Sequence, residues 1–158
     1  MSLRAHLSAL SLMTTLSLGA CFSGPSFDLH VQTPQVDGVE VVIPAGYTAH
    51  VPVVCSGADD VQLENAYIEV AGTAVRATDA CTITLVNCQI ISHGGVALVA
   101  DGAGDINLEG CLVQGDAGAI QITGASDVSA RNSTIIGAVR TGDAGDFHPD
   151  ANTELRPY

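Results

Sequence analysis

The sequence predicts an all-β protein: a right-handed parallel β-helix (solenoid) of about five coils, with a repeat period of 22 to 23. Three observations predict it. A ten-residue motif recurs at near-constant spacing, apolar residues alternate within it with period two, and each copy is interrupted at the same place by Asn or Gly.

The motif appears four times: VQLENAYIEV from Val61, ITLVNCQIIS from Ile83, INLEGCLVQG from Ile106 and VSARNSTIIG from Val128, at steps of 22, 23 and 22. Apolar or small residues fall at its first, third, sixth and eighth places, as in Ile83, Leu85, Cys88 and Ile90. Alternation with period two is the mark of a strand with one buried face. The phase slips once, at Asn65, Asn87, Gly110 and Asn132. Asn and Gly tolerate a left-handed backbone, so each of these residues turns a corner between two strands and together they form a turn ladder. A third strand per coil shows as two further columns: Val53, Val75, Leu98 and Ile120, then Cys55, Ala77, Ala100 and Ile122. Val39 and Val41 precede Val61 and Leu63 by the same step of 22, which extends the helix to residues 38–140. No coil buries its apolar face alone, and stacking does so collectively. An ordinary sandwich of short strands would not keep so fixed a period.

This pattern resembles right-handed parallel β-helices of the pectate-lyase-like kind, whose second turn often bears an Asn ladder. The resemblance implies that an enzymatic member would work on the outer face of the sheet containing Val75, inside a cleft walled by long loops. Here the outward positions Ala74, Ala97 and Ala119, with Arg76, Val99 and Gln121 beside them, are small or isolated, and the loops are short. The histidines share no column. Catalysis is therefore not expected, and the flat alanine face is expected to lie against a polymer or a partner.

The chain begins with Arg4 and His6, followed by an apolar run from Leu7 to Leu18. The run is too short for the ~20 residues of a spanning helix and has the layout of an export signal. It ends in Leu18-Gly19-Ala20-Cys21, which resembles the lipidation box of bacterial lipoproteins. The resemblance implies a cleaved signal at 1–20, an acyl anchor on Cys21 and a tether over 21–37. Phe22, rather than Asp, follows the Cys and points toward the outer membrane or cell surface. An ordinary secretory signal cut near Ala20 would also export the chain. Residues 141–158 are polar and read as a loose tail. That would leave the last coil with unpaired edges, either covered by the tail or available for self-association.

Seventeen acids against five basic residues give a net charge of −12. This excludes a phosphate-binding surface, which needs clustered Lys and Arg, so no nucleic-acid partner is expected. The turn acids Asp101, Asp105 and Asp127 are candidate ligands for calcium, which takes six to eight oxygens. Their alternative is a set of solvated turns. Cys88 and Cys111 share a column in adjacent coils and form either a disulfide or a buried thiol ladder. Cys55 and Cys81 are four places out of register and need a favourable turn to pair. Glu109 and Arg131 stack as a surface ion pair. The sum is a lipid-anchored, non-catalytic envelope protein acting as a structural or binding module, with a protein or glycan partner. The rival is a small carbohydrate-binding or carbohydrate-active β-helix.

Overall fold

The structure, a computed structural model, describes residues 35–36, 39–40 and 42–158, all within a compact unit running from Gln32 to Tyr158. The signal 1–20, Cys21 and all of the tether except Gln35–Val36 lie outside the described residues.

Three parallel sheets stack rung on rung. Sheet A holds Val53–Cys55, Val75–Ala77, Val96–Ala100, Gly118–Ile122 and Val139–Thr141. Sheet B holds Asp60–Glu64, Thr82–Val86, Asp105–Glu109, Asp127–Arg131 and Asp146–Pro149. Sheet C holds Thr48–Ala49, Ala66–Ala71, Gln89–His93, Leu112–Gly115, Thr134–Ile136 and Glu154–Arg156. The chain passes from C to A to B and back, making about five coils.

The columns read from the sequence are the columns of the core. Ile83, Ile106 and Val128 pair rung to rung, as do Ile90 with Val113 and Leu98 with Ile120, and all are fully buried. Each such side chain contributes about 1.5–3 kcal/mol by leaving water. Between sheets B and C, Asn65, Asn87, Gly110 and Asn132 have φ of 53°, 50°, 64° and 49°. The corner amides continue the ladder upward: the N–H of Asn87 donates to the Glu109 carbonyl at 2.8 Å and that of Gly110 to the Arg131 carbonyl at 2.9 Å. The side-chain NH₂ of Asn87 donates to Asn65 Oδ1.

Four expectations are corrected. First, Ala74, Ala97 and Ala119 are not an outer face; they are fully buried. The corner from C to A is so tight that a Cβ at Gly115 would collide with the Gly118 carbonyl and the Ala97 amide, and the alanines pack inside it. Secondly, Val39–Glu40 does not begin a parallel coil but pairs antiparallel with Gln35–Val36. Thirdly, of the two arrangements open to Cys88 and Cys111 the disulfide falls away and the separate buried thiols stand, while Cys55 and Cys81 find the turn they need and are bonded, with Cα atoms 6.0 Å apart. In-register strands keep parallel Cβ atoms near the ~4.8 Å strand spacing, wider than the ~3.8 Å a disulfide prefers, whereas the turn before Cys81 swings its side chain toward Cys55. The hydrogen bond shared with Cys88, and then burial, push the Cys111 thiol well above its usual range.

The fourth correction concerns the end of the chain. Residues 139–156 are not a loose tail; they form a further coil. Val139 pairs with Ile120, Phe147 with Val128 and Leu155 with Ile135. The steps from one partner to the other are 19, 19 and 20. The shortening falls at the corner from C to A, where Ile135 and Val139 are four residues apart while Val113 and Ile120 are seven. The edge of this coil carries Arg140, Asp146, Pro149, Glu154 and Arg156, residue types that discourage a further strand.

Candidate functional site

Two polar constellations lie on the outside of the stack. The first, on sheet C and its corner, joins residues the sequence reading did not connect. The Tyr67 hydroxyl donates to Glu69 Oε2, and Glu69 Oε1 lies 2.8 Å from His93 Nε2. His93 Nδ1 is 3.9 Å from Asp116 Oδ2. Asp116 in turn accepts the Gly94 amide at 3.1 Å and the Tyr158 hydroxyl at 2.7 Å. Burial raises the Glu69 carboxyl, but the Tyr67 and His93 hydrogen bonds outweigh it and hold the group below its usual range. The Tyr158 and Gly94 bonds hold Asp116 low in the same way. Burial, the bond to Glu69 and its charge push the Tyr67 phenol well up. All four carboxylate oxygens already have a partner, so the network ties coils together. One signal could have revealed it: the steps from Glu69 to His93 and from His93 to Asp116 are close to the repeat.

The second constellation is the outer face of sheet B. Its middle column runs Gln62, Thr84, Asn107, Ser129 and His148, and beside it run Asp60, Thr82, Asp105, Asp127 and Asp146. The Ser129 hydroxyl donates to Asn107 Oδ1 at 2.6 Å, which leaves the Asn107 NH₂ facing outward as a donor. Thr84, Asn107, Leu108, Glu109, Ser129 and Arg131 line a shallow depression of about 200 Å³. Glu109 and Arg131 share a rung register but do not make the expected ion pair; the described ion pairs are His93 with Glu69 and Asp116, His148 with Asp127, and Arg156 with Glu154.

Of the acids proposed for calcium, Asp105 and Asp127 stand on neighbouring rungs of sheet B. Asp101 accepts the Gly102 amide and the Thr123 hydroxyl, both at 2.9 Å. Asp105 accepts the Asp127 amide at 3.0 Å, and Asp127 accepts the Asp146 amide at 3.2 Å. Among the described residues, the three metal-type ligands brought together are Asp127, Asp146 and His148. Cys21 is outside the described residues, and among those described no helix is long and apolar enough to cross a membrane.

Three parallel sheets with Asn-turned corners and stacked apolar columns define a β-solenoid. The family model for right-handed beta helix regions matches residues 49–145, more than half of the chain, and the protein belongs to that family. No curated protein and no solved structure matches it.

Proposed function

We propose that the chain is an exported, lipid-anchored envelope protein whose β-helix serves as a non-catalytic structural or binding module. The observation that carries the module reading is the outer surface. The corners between sheets are short, and the sheet B depression of about 200 Å³ falls below the ~300 Å³ at which enclosing ligand sites begin. The Glu69–His93–Asp116 network spends its carboxylate oxygens on internal partners. The anchor rests on the Leu18-Gly19-Ala20-Cys21 box and the apolar run before it. Two or more acyl chains hold a protein firmly at a membrane.

Expression in a bacterial host fed an alkyne-bearing fatty acid tests the anchor. The unsubstituted chain becomes labelled and Cys21→Ser does not; an exported, unlabelled wild type overturns the reading.

The sheet B depression favours a second reading, a carbohydrate-binding module. Thr84, Asn107, Glu109, Ser129 and Arg131 offer donors and acceptors on a rigid surface, the pairing that sugar hydroxyls require. A glycan array probed with and without Ca²⁺ tests it, and no binding in either condition removes it.

A further inference from the structure

We infer that Asp127, Asp146 and His148 form a binding site for a divalent ion of the zinc class. The argument starts from register. Asp127 pairs with Asp146 and Ser129 with His148, so two carboxylates occupy neighbouring rungs and the imidazole stands two residues along, on the same outer face of sheet B. One donor atom from each side chain lies within 4.8 Å of the other two. His148 Nε2 is 3.9 Å from Asp127 Oδ1. That is too long for a hydrogen bond. It is close to the separation of two ligands on one ion, since bonds of ~2.0–2.2 Å around a tetrahedral centre set ligands roughly 3.3–3.6 Å apart. All three side chains are exposed, and small rotations close the difference.

The imidazole sets the metal class and distinguishes this group from the acidic turns elsewhere on the rod. Calcium takes oxygen ligands, six to eight of them. Imidazole with carboxylate suits zinc, nickel or copper. Three protein ligands leave a fourth position for water or for a group from a partner. Two features of the chain favour the cation. Asp105, Asp127 and Asp146 stand on three successive rungs, and like charges facing each other across strands are destabilising. The Asp146 amide, donating to Asp127 Oδ1 at 3.2 Å, fixes that carboxylate as an outer-shell bond does in metal sites. The site depends on the shortened last coil, because only the shorter step sets His148 over Ser129. It does not depend on the lipid anchor or on the envelope role.

Calorimetric titration of the full chain with Zn²⁺ and, separately, Ca²⁺ tests the inference. One equivalent of Zn²⁺ binds, more tightly than Ca²⁺, and His148→Ala and Asp146→Asn each weaken it roughly tenfold or more, at least the loss an outer-shell change causes. A readout that needs no variant is the imidazole NMR signal of His148 in the wild type, which moves when Zn²⁺ is added while those of His50 and His93 stay in place. Unchanged Zn²⁺ affinity in a folded His148→Ala chain, a His148 signal that Zn²⁺ leaves in place, or tighter binding of Ca²⁺ than of Zn²⁺ overturns the site.

Discussion

The middle coils and the last coil are built from the same three strands but held differently. Between Val75 and Ile135, each apolar column has a neighbour above and below, and Leu98, Ile106 and Ile120 are fully buried. In the last coil Val139 and Phe147 are only partly buried and Leu155 is half exposed, because described strands lie on one side only. The difference shows what enforces the period. A coil with neighbours on both faces must match two registers and keeps the full period, as in Leu98 to Ile120 and Ile106 to Val128. A terminal coil matches one register and tolerates the shorter steps from Ile120 to Val139 and from Ile135 to Leu155.

Substitutions sharpen this contrast. Leu98→Ala removes a side chain packed from both rungs and costs about 2–5 kcal/mol, read from the urea midpoint. Asn87→Ala removes the polar side chain that lets Asn occupy a left-handed corner and breaks the bond to Asn65, costing about 1–2 kcal/mol, whereas Asn87→Gly costs less in the same assay.

The Glu69 network links successive coils and responds to acid. Its carboxyl is held below its ordinary value of 4.5, so the stability it contributes is present above that value and is lost as pH falls through the lower folded-state value. Glu69→Gln therefore melts with a shallower loss of stability between neutral and acid pH than the wild type; an identical acid profile would show that the network contributes nothing. The smallest effect belongs to the end of the rod. Leu155→Ala costs about 1 kcal/mol or less, since half of the side chain already meets water. A cost equal to that of Leu98→Ala would mean that something covers the terminal coil.

The sequence made legible whatever repeats in register. Ile83 above Val61 and Asn87 above Asn65 follow from a constant step, because stacking forces like residues into one column. The terminal coil was hidden by a change of spacing: the loss of three residues beside Gly137 shifts every later column, and Phe147 no longer aligns with Val128 at the expected distance. The alanines were misplaced because period two says nothing about how sharply a corner folds, and the Gly115 corner folds sharply enough to enclose them. The Cys55–Cys81 bond depends on the path of a turn, which composition does not specify. The site residues were the least legible. Glu69 meets His93 diagonally, two places out of register, while Asp116 lies just past the end of its strand, and His148 joins Asp127 only through the shortened register.

Hydrogen exchange of the terminal coil tests the central claim most directly, namely that the helix continues through residue 156. The amides of Gly142, Asp150 and Glu154 donate to the carbonyls of Ile122, Ala130 and Ser133 in the coil beneath, at 2.9, 2.9 and 2.8 Å. The account predicts that all three are protected well above an unstructured chain, though less than the amides of Ile106 and Leu108 in the middle of the stack. Exchange of these three at the rate of an unstructured peptide, with the middle coils still protected, would contradict it and return residues 141–158 to a loose tail.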